Sequence, residues 1–176
     1  MELIFPSHAV VVVAGVPGAG KTTLLRRAVD RSTARVVDTD DRARRGPQPL
    51  HYAAHYARIA AAIAGGRPVV IHSRGTHAAA RRTIALLARL RGRPAHLVLL
   101  HADRATAEAG QRARGRTVAR AEMDRQVARW RELLDAGGPT GEGWASVDVL
   151  DRAAAADIGA MRFVPAPQAV PQVAAA

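Results

Sequence analysis

The chain of 176 residues contains no cysteine, which excludes disulfides, thiolate metal sites and a cysteine nucleophile. Aromatic residues make up only 3%, too few to supply the stacking platforms that single-strand nucleic-acid binders use. Long apolar runs are also missing. The N-terminal stretch 9–14 is far short of the roughly 20 residues that cross a bilayer, and it follows Glu2 rather than a basic leader. The expectation is a cytoplasmic protein with no membrane partner. Lysine is nearly absent as well: of 26 lysines and arginines, Lys21 is the one lysine. That position needs a reason.

The 48% hydrophobic fraction is built mainly from alanine, valine and leucine, so the core should be aliphatic. The length suits one domain. A net charge of +11 favours anionic partners such as nucleotides, phosphorylated metabolites or nucleic acid. The arginines are dispersed rather than gathered in a tail. The charge therefore also fits a general bias toward arginine and alanine, and nucleic acid is a permitted partner, not a required one.

Apolar, β-branched runs alternate with longer segments of helical period, the pattern of βαβ units on a parallel sheet. The expected strands are 9–14, 34–38, 68–72, 96–101 and 146–150. The expected helices are 21–31, 49–64, 76–91, 103–112, 118–136 and 152–159. Gly65-Gly66 and Gly92 stop two of them, and Asp103 is placed to cap another. The stretch "DAGGPTGEGW" reads as a loop. Residues 1–163 form one domain, and the uncharged, proline-containing tail 164–176 is expected to be disordered.

"GVPGAGKT", Gly15 to Thr22, matches G-x-x-x-x-G-K-[ST] in full, after a buried strand and before a helix. In such a loop glycines turn backbone N–H groups onto phosphate oxygens, and the helix N-terminus adds positive field. The nucleotide-contacting set is Gly15, Pro17, Gly18, Ala19, Gly20, Lys21, Thr22 and Thr23. Lys21 reaches the β- and γ-phosphates and the Thr22 hydroxyl takes Mg²⁺. A compact ammonium on a flexible stem bridges two phosphates where a planar guanidinium would not fit. The lone lysine thus has a chemical reason.

The second strand ends in "ARVVDTDDRARR", with Asp38, Asp40 and Asp41 followed by Arg42, Arg44 and Arg45. With the phosphate loop, this element resembles the small P-loop kinases of the polynucleotide-kinase and zeta-toxin type, often labelled AAA domain. The resemblance implies an α/β three-layer P-loop fold with a five-stranded parallel sheet in the order 2-3-1-4-5 and a small helical lid at about 110–120. It maps Asp40 as the general base that takes the proton of an acceptor hydroxyl, with Asp41 beside it and Arg42 and Arg44 straddling the position of an anion-holding arginine. Carboxylates so clustered can also hold Mg²⁺ through water, which makes Asp38 a second metal candidate beside Thr22. The same cluster equally suits a solvated acidic turn paired with its own arginines.

Members of the family that the chain resembles usually carry an acidic residue followed by a small polar one at the end of the third strand. This chain has His72 there, followed by Ser73, Arg74, Gly75 and Thr76, and histidine is a poor ligand for a hard cation. Ser73, Arg74 and Thr76 are candidates for substrate contact, although Thr76 also suits a helix cap. "GQRARGRTVARAEMDRQVARW" resembles the family lid, in which Arg112, Arg114 and Arg116 close over the phosphates around a hinge at Gly115. Met123, Val127, Trp130 and Leu134 recur at helical spacing and should pack inward. His51 and His55 share a helical face, but no third metal ligand accompanies them; Tyr52, His55 and Arg58 border the acceptor pocket that the resemblance implies.

The resulting expectation is an ATP- and Mg²⁺-binding phosphotransferase acting on a hydroxyl of a small molecule or of a polynucleotide 5′ end. The alternative is a P-loop ATPase or nucleotide-binding regulatory protein without a dedicated acceptor.

Overall fold

The computed structural model describes residues 1–38, 48–113, 115 and 118–165, with side chains in 48–52 left aside. Asp40, Asp41, Arg42, Arg44, Arg45, Arg114, Arg116, the His51 and Tyr52 side chains and the tail from 166 lie outside the described residues.

The central strand β2, Val10–Gly15, has all six residues buried. Covered on both faces, it reads as an unbroken apolar run rather than an alternating one, and each such valine contributes roughly 1.5–3 kcal/mol by leaving water. β3 (Arg35–Val37), β4 (Val69–His72), β5 (Ala95–Leu100) and β6 (Ser146–Leu150) complete a parallel sheet in the order β3-β4-β2-β5-β6. Counted within this sheet alone, that is the expected 2-3-1-4-5. The edge strand β6 alternates, leaving Val147 and Val149 exposed, as a strand with one uncovered face does.

α1 (Lys21–Ala28) and α3 (Ala78–Leu90) are shorter than their sequence patterns suggested. After α1 the backbone turns extended at Val29, and the Asp30 carboxylate accepts from the Ser32 N–H and hydroxyl at 2.8 and 2.7 Å. That local turn competes with a further helical turn. α3 begins after His77, which is its N-cap without a side-chain bond; Thr76 therefore does not cap it. α2 (Gln48–Ala64) packs on α3, β3 and β4. α4 (Arg104–Arg112) starts at Asp103, whose carboxylate accepts from Thr106 N–H at 2.7 Å, the cap that the sequence suggested. α5 (Arg120–Asp135) turns Met123 and Trp130 inward.

A second sheet was not evident from local pattern. β1 (Glu2–Pro6) and β7 (Ala160–Val164) pair in parallel from Glu2↔Ala160 to Pro6↔Val164. α6 (Arg152–Asp157) precedes β7. Arg27 of α1 donates through Nε to the Ile158 carbonyl at 3.0 Å and through Nη2 to the Ala155 carbonyl. The terminal strands are thereby tied to the helix that follows the glycine loop.

Candidate active site

The carboxyl ends of β2, β3 and β4 converge on the Gly15–Thr22 loop. α1 starts directly at Lys21, with Gly20 as its N-cap, no side-chain cap bond and no acid in its first turn. The first N–H groups of α1 thus receive no capping side chain, an arrangement suited to an anion. Lys21 is 7% exposed, and its Nζ donates to the carbonyls of Gly15 and Val16 at 2.7 and 2.9 Å. The ammonium is held inside the loop by these two carbonyls.

The loop is braced from two directions. Gly18, at φ 91°, lies so close to α4 that a Cβ there would stand 2.0 Å from the Ala107 carbonyl oxygen. On the other side, Gly15 N–H donates to the Arg74 carbonyl at 3.3 Å and Ser73 N–H to the Val13 carbonyl at 3.0 Å. The 73–76 segment is itself locked. Gly75 has φ 67°, and a Cβ there would fall 2.3 Å from the Ala14 Cβ.

Arg81 and Glu142 were not singled out from the sequence, yet they hold this segment. Arg81 is 3% exposed and Glu142 8%. They form a two-pronged pair, Nε to Oε2 at 2.8 Å and Nη2 to Oε1 at 2.6 Å, while Arg81 Nη1 donates to the Gly75 carbonyl. Trp144 Nε1 donates to the same carboxylate at 3.1 Å. A buried pair survives only when its remaining polar atoms are satisfied in this way. The sequence signal was slight: a single acid inside the glycine-rich loop and an arginine on the inner face of a helix.

Asp38 and His72 end neighbouring strands and meet, His72 Nδ1 lying 2.6 Å from Asp38 Oδ1. A carboxylate only accepts, so the imidazole carries its proton on Nδ1. His55 of α2 stands within electrostatic reach of both, and its Nδ1 is enclosed without a hydrogen-bond partner among the described residues. Burial first, and then the Arg58 guanidinium, hold its imidazole below the usual histidine range, against an opposing pull from Asp38.

Arg112, expected in the lid, is exposed at the end of α4. Together with Arg104, Glu108, Val118, Arg120 and Met123 it lines a cavity of about 520 Å³ between α4 and α5. The cavity occupies a different face of α4 from the one that meets Gly18. The structure thus brings together the loop, Asp38, His72, Ser73 and Arg74, and Arg112 lines the neighbouring cavity. Among the described residues no group of three His, Cys, Asp or Glu could hold a metal by itself. A divalent cation here would have to share protein oxygens with phosphates and water, the habit of Mg²⁺, and the Thr22 hydroxyl and Asp38 carboxylate are hard donors of the right kind. No described helix is long and apolar enough to cross a membrane.

Residues 10–134 match the family model described as AAA domain. No curated protein sequence matches the chain. Among solved structures, a gluconokinase from Sinorhizobium meliloti 1021 is similar at TM-score 0.61 and 18% identity, over 85% of this chain and 85% of that one. Kti12 of Chaetomium thermophilum in complex with ADP-AlF3 gives 0.61 and 19%, over 81% and 88%. The PezAT toxin–antitoxin system of Streptococcus pneumoniae gives 0.60 and 13%, over 87% and 71%. Identities this low carry the fold and nothing finer.

Proposed function

The chain belongs to the AAA domain family, and from that premise we propose that it is an ATP- and Mg²⁺-dependent kinase that transfers the γ-phosphoryl group to a hydroxyl. The observation that carries this reading is Lys21, buried against the Gly15 and Val16 carbonyls at the uncapped start of α1. Support also comes from the name of one solved relative, a gluconokinase, and from the ADP-AlF3 bound in another.

The loop amides and Lys21 hold the β- and γ-phosphates, and the Thr22 hydroxyl and Asp38 are the residues that would hold the cation. When bound, the cation would supply neutralisation of the phosphate charge. The acceptor oxygen forms a bond to the γ-phosphorus as the bond to the β-phosphate oxygen breaks. ADP leaves, and Asp40 takes the hydroxyl proton. Arg112, Arg114 and Arg116 offset charge on the transferred group. Arg74 and Ser73, locked beside Gly15, stand where an acceptor would lie, since ligands bind beyond the carboxyl ends of parallel strands.

His72 in place of an acid at the end of β4 favours the second reading, a slow ATPase or nucleotide-binding regulator without its own acceptor. The test is a screen of hydroxyl compounds and 5′-hydroxyl oligonucleotides for ones that accelerate ADP release. The kinase reading expects an accelerating acceptor and its phosphorylated product, with transfer abolished by Asp40→Asn while ATP still binds. Hydrolysis indifferent to every acceptor class supports the regulator instead.

A further inference from the structure

Asp38 and His72 occupy one row across the sheet with the strand that leads into the phosphate loop. Val13 is paired with His72, and Val37, the residue before Asp38, with Ile71. This row lies two residues short of Gly15. β3 is two strand spacings from β2, about 10 Å. The 2.6 Å contact with His72 turns the Asp38 carboxylate toward β4, the strand between β3 and β2.

The pair is buried, Asp38 at 8% and His72 at 7%. A strand-end aspartate with no task beyond solubility would face water, because burying a carboxylate is costly unless it is bonded. As pure fold support, two apolar side chains in these places would serve as well or better. Among the described residues, His55 of α2 stands within electrostatic reach of both members of the pair and of Arg58; neither His55 nor Arg58 is a carboxylate. Among the described residues, Asp38 is therefore the acid that the sheet order brings toward the loop on this side.

Resting on the nucleotide-binding reading above, we propose that Asp38 and His72 act as one unit toward the cation that accompanies the nucleotide. Asp38 supplies the carboxylate that orders the cation's water shell, and His72 is a positioning residue that turns this carboxylate toward β4. Mg²⁺ gives up its waters reluctantly and is commonly engaged through them. Imidazole is an unsuitable partner for so hard an ion, whereas a carboxylate suits it. The Nδ1–H of His72 fixes the orientation of Asp38 in the way that outer-shell partners fix metal ligands elsewhere. The acid is thus contributed by the neighbouring strand, and the histidine that stands in its place delivers it.

The test is the ratio of ATP affinities with Mg²⁺ and with EDTA, measured by calorimetry on the whole chain so that no turnover is needed. The wild-type chain should bind ATP more tightly with Mg²⁺. In Asp38→Asn and in His72→Ala that ratio should fall about tenfold or more, the usual effect of removing a metal-orienting partner. His72→Asn, whose side-chain amide can donate from the place of Nδ1, should restore most of it, and thermal unfolding of each variant controls for loss of fold. A role confined to the fold would lower the melting temperature in His72→Ala yet leave the ratio intact, and that result overturns the proposal. A wild-type chain that binds no ATP in either condition overturns the nucleotide reading itself and this inference with it.

Discussion

Gly18 of the phosphate loop and Gly110 of α4 pack backbone against backbone: a methyl group on Gly110 would stand 2.3 Å from the Gly18 carbonyl oxygen. No side chain fits between them, so the position of α4 and the shape of the loop are set together. The glycine inside the helical stretch "AEAGQR" is the one sequence trace of this contact.

Replacing Gly110 by alanine tests it. Inside an ordinary helix the change stabilises by up to about 1 kcal/mol. Here the methyl meets backbone, so Gly110→Ala should instead destabilise by about 1–3 kcal/mol and weaken nucleotide binding as the loop shifts. Thermal unfolding and calorimetry give the two readouts; a stabilised variant with unchanged affinity would show that the contact yields freely.

Lys21 makes two carbonyl hydrogen bonds from a buried position, and a charge-assisted bond is worth about 1.5–3 kcal/mol. Lys21→Ala should therefore reduce ATP affinity by roughly tenfold to a hundredfold. Lys21→Arg should fail similarly, because the planar fork does not fit between the Gly15 and Val16 carbonyls. Arginine substituting without loss would remove the reason for the single lysine.

The Arg81–Glu142 pair separates stability from site geometry. Glu142→Gln leaves the Arg81 charge buried without its counter-ion and should cost about 3–5 kcal/mol. The double variant Arg81→Met with Glu142→Leu should recover much of that stability. It should not recover ATP affinity, since the Gly75 carbonyl has lost its Arg81 donor and the segment that accepts from Gly15 N–H is released. Affinity returning along with stability would make the pair a fold element only.

Stability should fall as pH drops through the histidine range. Burial holds the His96 imidazole below its ordinary value, partly opposed by Asp148, and burial does the same to His55. The unfolded chain therefore takes up protons that the folded chain refuses. Stability is full above the unfolded value of about 6.5 and declines below it. His96→Phe, beside the ring of Phe5, should flatten the slope of melting temperature against pH, and an unaltered slope would remove His96 as a source.

The sequence by itself determined the sheet and the phosphate loop. A valine run followed by spaced glycines, one lysine and a threonine encodes strand, turn and helix within fourteen residues, from Val10 to Thr23, and local sterics suffice to shape it. The same held for the Asp103 cap and for the inward face of α5, whose period shows in the chain. The tertiary structure alone decided what depends on residues distant in sequence. β1 and β7 pair across more than 150 positions, and neither stretch is periodic enough to declare itself. Arg81 reaches Glu142 across 61 residues, and Asp38 reaches His72 across 34. In the sequence His72 was the residue that broke the expected pattern; in the fold it is the partner of a carboxylate on the next strand. Side-by-side strand ends make such pairs, and only the order of strands in the sheet says which ends are neighbours.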